Sequence, residues 1–223
     1  MKDRKIYFYK LTVDAGTAPC VDDNLLSLAI CKPMLRRTAG EGDIIIGFAG
    51  NELDRNNRLI YAAEVTIRLE DGAYFRDRKY SHRKDCIYEW NDNAYKIKKN
   101  VNFHSTQKDL ERDLGKAPVY KRANVLLSKK FNYYGCGPTL DYSEVIHKAV
   151  TTLKRGHRIS HSASLRKELE KLIEKEKLRS ASVLGKPHHS ATHAIPRNDD
   201  NCGVVCSPCP PPPTGHQKTR ARE

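Results

Sequence analysis

The stretch from residue 30 to residue 67 constrains the fold most, because it places a short basic turn directly before two apolar strands. Pro33 favours the first position of a helix, where its missing N–H loses no partner, so one or two helical turns are predicted over residues 32–37. The β-branched run 44–48 and the run 59–67 are typical of strands, and the loop between them is rich in turn residues. The sequence therefore predicts a helical turn followed by a β-hairpin.

Apolar runs and helical periodicity predict further elements on both sides of this hairpin. Strands are predicted at residues 6–13, 123–128 and 131–134, and helices at residues 71–78, 106–116, 142–153 and 165–179. Residues 25–31 are apolar nearly throughout and fit either a buried strand or the first turns of a helix. From residue 185 the chain is rich in Pro, Ser, His and Asn, which cannot bury enough apolar surface to fold. We therefore expect a domain at residues 1–160, an amphipathic helix at 161–184 and a disordered tail at 185–223.

Charge and composition indicate the class of partner. The 223 residues carry a net charge of +13, with a pI near 9.4. An acidic partner is expected, such as nucleic acid, nucleotide phosphates or an anionic membrane surface, although a basic protein without such a partner is the alternative. No apolar stretch approaches the roughly 18 residues needed to span a membrane. The seven cysteines form no recognisable disulfide framework and the N-terminus has no signal-peptide pattern, so a cytoplasmic location is expected.

Basic and aromatic residues alternate over residues 79–100, where Tyr80, Tyr88 and Trp90 stand among lysines and arginines. Cations can hold phosphates while aromatic rings stack on unpaired bases, so this pattern is typical of a nucleic-acid surface. The alternative is a loop whose aromatic rings pack on the domain. Trp90, the only tryptophan, would then be a core anchor.

Two histidines invite a catalytic interpretation. His104 precedes Ser105, but no glycine-flanked serine or nucleophile elbow accompanies the pair. His157 lies in the basic turn 154–158, which fits either a phosphate clamp or a cluster that caps the preceding helix.

The tail contains a Cys202-x3-Cys206-x2-Cys209 spacing with histidines nearby. Thiolate and imidazole ligands can bind zinc, and a similar cysteine spacing holds iron–sulfur clusters in radical enzymes. Such a cluster requires a surrounding (β/α) barrel that this chain does not predict. We therefore expect exposed cysteines, with no metal and no cofactor.

Several motifs together resemble a known family. They are Asp14-x-Gly16-x-Ala18-Pro19, Leu28-Ala29-x-Cys31-Lys32-Pro33-x-x-Arg36-Arg37, Gly42-Asp43-x-Ile45-x-Gly47, Leu59-x-Tyr61-Ala62, Phe103-His104-Ser105 and Arg155-Gly156-His157-Arg158. Over about residues 5–160 the chain resembles the second family of nucleotide modification associated domains, and more distantly it is similar to EVE, ASCH and other PUA-like domains. The resemblance implies an α+β fold, a small PUA-like or EVE-like mixed β-barrel with flanking helices. It also implies a pocket for a modified base or RNA at the mouth of that barrel.

The preferred function is a nucleic-acid or nucleotide binding module that recognises a modified base within a DNA or nucleotide modification or restriction system. Its expected partners are DNA, RNA or a modified nucleotide, and proteins of that system. The expected base-binding and phosphate-binding residues are Asp14, Lys32, Arg36, Arg37, Tyr80, Tyr88, Trp90, His104, Arg155 and His157.

Two other functions stay open. One is an enzyme that processes modified nucleotides, with His104 or His157 as general acid or base and Asp14 or Asp43 as partner. The absence of a P-loop or a paired-carboxylate metal motif disfavours this enzyme. The other is an interaction protein whose basic face meets another protein.

Overall fold

The structure, a computed structural model, describes residues 4–189 and places them in two sheets, a hairpin and five α-helices. The first sheet has the order β11 (His157–Arg158), β1 (Ile6–Leu11), β4 (Ile44–Ala49), β5 (Leu59–Glu64), β10 (Lys130–Tyr133) and β12 (Ala181–Val183). The second has the order β2 (Cys20–Asp22), β3 (Leu25–Leu28), β9 (Val125–Ser128) and β6 (Ile67–Leu69). Strands β7 (Tyr88–Asn91) and β8 (Ala94–Ile97) form the hairpin. The helices are α1 (Pro33–Thr38), α2 (Ala73–Arg76), α3 (Gln107–Leu114), α4 (Glu144–Thr151) and α5 (Ala163–Glu176).

The α+β class is confirmed, but the predicted closed barrel is wrong for the described part of the chain. The first sheet ends at β11 and β12, and the second ends at β2 and β6. Parallel pairs, β1 with β4 and β10 with β12, occur beside antiparallel ones. Both sheets are therefore open, and they pack as layers.

Strand alternation divides the core into three apolar clusters. Tyr7 and Tyr9 of β1 point into a cluster between the two sheets. Ile6 and Phe8, on the opposite face of β1, pack under α4 and α5. The outer face of the second sheet, including Leu127, packs beneath α2, α3 and the β7–β8 hairpin. The layers are therefore a helical pair, two sheets, and a mixed layer that carries α3.

The predicted helical turn and hairpin are confirmed as α1 and the antiparallel β4–β5 pair. The run 59–67 is not a single strand. Val65 N donates to the carbonyl of Asp43, whereas Thr66 N donates to that of Leu127 in the second sheet. The chain passes from one sheet to the other at this point, so β5 and β6 are separate strands.

The C-terminal part of the described chain is tied to the core. Helix α5 packs on the first sheet, and β12 then pairs in parallel with β10. Residues 185–189, assigned to the tail by the sequence analysis, also make contacts. Cys136 N donates to the carbonyl of Lys186 at 2.8 Å, and His189 N donates to that of Asp14 at 2.9 Å.

The cysteines at positions 202, 206 and 209 lie outside the described residues. None of the helices within residues 4–189 combines the length and the apolarity required to cross a bilayer.

Candidate active site

The centre of the site is Cys31, at the point where the chain leaves the second sheet and enters α1. Strand β3 ends at Leu28, and Pro33 begins the helix. Cys31 adopts φ +57° and Lys32 φ +41°, a left-handed conformation that costs a non-glycine residue roughly 1–2 kcal/mol. Observed strain of this kind concentrates at functional positions, because the surrounding contacts must hold it in place.

Two hydrogen bonds fix the backbone of Cys31. Its N–H donates to Asp113 Oδ1 at 2.9 Å, and its carbonyl accepts from Arg36 Nε at 2.7 Å. Cys31 as a residue is only partly buried. The backbone that carries the sulfur is therefore held in place while part of the residue stays accessible to solvent.

The imidazole of His104 lies between Cys31 and Asp113. Its Nε2 is 3.4 Å from Cys31 Sγ, and its Nδ1 is 2.6 Å from Asp113 Oδ2. His104 also has a positive φ, +48°. A thiol, an imidazole and a carboxylate in this order form the arrangement by which a cysteine nucleophile is activated.

Asp113 is supplied by α3, which begins with a capping box in which the Thr106 side chain accepts from Asp109 N. The helix directs Asp113 inward, where it is fully buried. Its carboxylate accepts from His104, from the N–H of Cys31 and from Tyr88 OH at 2.9 Å. A buried carboxylate with three donors is fully satisfied and has a fixed orientation.

Electrostatics keep the imidazole protonated. Burial opposes the charge of His104, but the hydrogen bonds to Asp113 and Cys31 outweigh it and raise the pKa of His104 to about 10. Burial likewise favours neutral Asp113, yet its hydrogen bond with His104 and the charges of His104 and Arg36 hold its pKa below the usual value. At neutral pH the site therefore contains an imidazolium between a carboxylate and a sulfur.

Arg36 was predicted to bind phosphate, and the structure contradicts this. The side chain is fully buried. It donates to the carbonyls of Cys31, Arg122, Asn124 and Asp113 at 2.5 to 2.9 Å. Its donors are already used, so Arg36 is the internal clamp that joins α1 to α3 and to the strand that follows.

Other predicted residues gather near the sulfur. Lys32 Nζ lies 4.6 Å from the centre of the Tyr9 ring and donates to the carbonyl of Lys10. Burial lowers the pKa of Lys32, the charge of Cys31 opposes that change, and Arg155 lowers the pKa further. His157 is paired with Tyr9 in β11, and burial followed by the Lys32 charge lowers its pKa. Lys32, Arg155 and His157 are thus electrostatically coupled at one edge of the site.

Asp14 lies next to this group, but it is already engaged. Its carboxylate accepts from Tyr133 OH at 2.7 Å and contacts His188 Nδ1 at 3.2 Å. The pKa of Tyr9 is raised, first by burial and then by Tyr61. The charges of Cys31 and Asp14 raise it more weakly, so Tyr9 lies within electrostatic reach of Cys31 and of Asp14.

The predicted aromatic residues do not line one pocket. Tyr80 is buried and stacks on Tyr74 at 4.6 Å, and Tyr88 is buried with its hydroxyl on Asp113. Trp90 is 40% exposed on the β7–β8 hairpin. Arg37 is exposed on α1. Only Tyr88 among the three aromatic residues touches the site, and it does so from the core side, where no base can stack.

Sequence reasoning missed Cys31 and Asp113. Cys31 stood in the Cys-Lys-Pro motif at a predicted strand-to-helix transition, which is where a strained nucleophile is found in other folds. Asp113 gave no signal of its own, because nothing in a polar helix shows which carboxylate faces inward. His104 and Asp113 are nine positions apart, but Cys31 is 73 positions from the first and 82 from the second.

Metal ligation finds little support in the described residues. Asp22, Asp23 and His82 bring three potential ligand atoms within 4.8 Å of one another, but all three side chains are exposed. Exposed acidic groups commonly stand together without a metal.

Comparison with known families agrees with the motifs. Residues 3–194 match nucleotide modification associated domain 2. The chain belongs to this family. The match extends through α5, β12 and the ordered residues 185–189, so this family includes the whole described fold. No curated protein and no solved structure matches the chain.

Proposed function

We propose that this member of the nucleotide modification associated domain 2 family is a cysteine-dependent enzyme that transfers or hydrolyses an acyl group on a nucleobase. The observation that carries the proposal is the Cys31–His104–Asp113 contact chain, with distances of 3.4 and 2.6 Å. Association with nucleotide modification comes from the family. The acyl chemistry comes from the thiol, which attacks carbonyl carbon readily once it is deprotonated.

In the first half-reaction, Cys31 Sγ forms a bond to the carbonyl carbon and the bond to the leaving group breaks. His104 Nε2 gives its proton to the departing amine or alkoxide, which leaves an acyl thioester on Cys31. The N–H of Lys32 has no acceptor among residues 4–189, so it is free to donate to the oxyanion.

In the second half-reaction, the neutral imidazole of His104 removes a proton from water or from an acceptor amine. That nucleophile attacks the thioester carbonyl, and the Cys31 thiolate leaves. Asp113 stays ionised throughout and holds the imidazole with Nδ1–H toward itself. The cycle closes without an external oxidant or cofactor.

Modified-base recognition, the function preferred from the sequence, becomes the substrate-binding part of this enzyme. Lys32 and Arg155 supply positive charge for a phosphate, and His157 supplies a ring nitrogen at the same edge. A reducing cytoplasm would suit the proposal, because all four cysteines of the described residues are free thiols.

The test uses 4-nitrophenyl acetate as a generic acyl donor and locates the acetyl group by mass spectrometry. We expect a burst of nitrophenolate and a hydroxylamine-sensitive acetyl group on Cys31. Cys31→Ala should abolish the burst, and His104→Gln should slow it by about 10² to 10⁴-fold. Cys136→Ala is the matched control, since Cys136 is also a free and partly buried thiol. Acetylation shared equally by Cys31 and Cys136, or unaffected by His104→Gln, would refute the nucleophile assignment.

A further inference from the structure

A basic groove lies on the solvent side of α3, the helix that supplies Asp113. It encloses about 640 Å³ between α3 and the loop 115–122. Five of its nine lining residues are basic, namely Lys108, Arg112, Lys116, Lys121 and Arg122. Lysine and arginine make up only 40 of the 223 residues of the chain, so the groove is strongly enriched in positive charge. We call this surface the α3 groove.

Most of these cations are available to a ligand. Arg112 pairs with Asp109 at 2.6 Å. The side chains of Lys108, Lys116, Lys121 and Arg122 are exposed and make no hydrogen bond or ion pair with the residues that the structure describes. Glu111 is the single acidic residue of the lining. The groove therefore offers four free positive charges.

The walls of the groove are fixed to the core. Arg122 N donates to the carbonyl of Leu114 at 2.9 Å, and the carbonyl of Arg122 accepts from buried Arg36 at 2.9 Å. Tyr120 N donates to the carbonyl of Lys116 at 3.0 Å. The loop that carries the cations is thus preorganised, which reduces the entropy lost on binding.

An exposed aromatic ring is connected to the α3 groove through Tyr120 of the loop 115–122. The Trp90 ring is centred 6.1 Å from that of Tyr120, whose neighbours Val119 and Lys121 line the groove. Trp90 is 40% exposed and Val119 is 63% exposed. Arg76 lies over the Trp90 ring at 5.9 Å. A flat ring and an apolar side chain beside free cations match a base, a sugar and phosphates.

We propose that the α3 groove binds single-stranded nucleic acid, with its phosphates on the free cations and one base stacked on Trp90. Stacking requires an unpaired base, which is why the proposal specifies a single strand. This inference rests on the proposed function and specifies its substrate, because it makes the acylated base part of a polynucleotide. Asp113 and Arg112 are neighbours on α3, and the body of this helix, about 10 Å across, separates the groove from the Asp113 carboxylate.

The experiment measures binding of a fluorescein-labelled oligo(dT) by fluorescence anisotropy. A second measurement follows the quenching of the fluorescence of Trp90, the single tryptophan of the chain, by unlabelled oligo(dT). Four phosphate contacts predict a slope of log affinity against log salt of roughly −3. Lys116→Glu combined with Lys121→Glu should weaken binding about tenfold or more and flatten the slope. Trp90→Leu should weaken it by about 5-fold to 100-fold. The matched control combines Lys148→Glu with Lys175→Glu, the same charge change on exposed positions of α4 and α5.

Several outcomes would overturn the groove assignment. One is a loss of affinity in the Lys148 and Lys175 control equal to that in the Lys116 and Lys121 variant. Others are binding that does not depend on salt, and tighter binding of a duplex than of the single strand. A further one is quenching of Trp90 by polyglutamate equal to that by oligo(dT). The last result would assign the surface to acidic protein instead. Cys31→Ala should bind the strand as tightly as the wild type, and the Lys116 and Lys121 variant should still be acetylated at Cys31. Failure of the groove and failure of the catalytic proposal are therefore separate results.

Discussion

Replacing Asp113 with asparagine tests how the imidazolium of His104 is held. The asparagine has nearly the same shape, but it removes the negative charge that lies 2.6 Å from His104 Nδ1. Burial alone favours the neutral imidazole, so the charge on His104 depends on Asp113 and Cys31. Without the carboxylate, only the interaction with Cys31 remains to stabilise the protonated imidazole.

The size of the effect follows from this geometry. An opposite charge within about 4 Å shifts a pKa by about 1–3 units. We therefore expect the pKa of His104 to fall from about 10 by roughly 2 units in Asp113→Asn. At about 1.4 kcal/mol per unit, this corresponds to roughly 3 kcal/mol less stabilisation of the imidazolium.

The assay is a pH titration of ¹⁵N-histidine signals by NMR, with the signals of His104 assigned from their absence in His104→Gln. Asp109→Asn serves as the matched control, because Asp109 lies one helical turn away on α3 and does not touch the imidazole. Its effect should be much smaller. In parallel, alkylation of Cys31 by iodoacetamide at neutral pH should slow in Asp113→Asn. A folded Asp113→Asn protein whose His104 still titrates near pH 10 would refute the argument.

Two further predictions concern stability. Arg36→Lys should lower the free energy of unfolding by roughly 3–5 kcal/mol, because one ammonium cannot donate to all four carbonyls that Arg36 binds. Arg37→Lys, at an exposed position of the same helix, should change it by less than about 0.5 kcal/mol. Urea unfolding measures both, and equal midpoints would contradict the clamp. Folding raises the pKa of His104 from 6.5 to about 10, so the protonated imidazole stabilises the fold fully below pH 6.5 and this contribution is lost as the pH rises through 10. The urea midpoint should therefore decline across that interval in the wild type, and a decline of the same size in His104→Gln would contradict the assignment.

The predicted elements that were confirmed depend on local signals. Pro33 and the glycines around β4 set the boundaries of α1 and of its following strand, and Gly115 ends α3 as its spacing indicated. Such signals act over a few residues, because they report backbone dihedrals and the side of an element that is buried. The run 59–67 shows their limit. It is typical of one strand, yet Thr66 N donates to the carbonyl of Leu127, which lies in the other sheet.

The candidate site is formed by long-range contacts, which local sequence patterns do not predict. Arg36 and Arg37 are neighbours of the same type, and both were predicted to bind phosphate. The turn of α1 buries the first and exposes the second, so one became a clamp and the other remained a surface cation. Tyr80 and Tyr88 look like stacking residues beside lysines, but the outer layer packs over them.

By itself the sequence determined the family, the α+β class, a basic surface and the places where the chain changes from strand to helix. The family follows from the resemblance of its motifs to known members, the surface charge from composition, and the element boundaries from short-range periodicity. The tertiary structure alone decided that Cys31 meets His104, 73 positions away, and that its N–H meets Asp113, 82 positions away. The physical reason is that packing α3 against the second sheet turns one carboxylate inward and leaves the cations of the same helix in solvent.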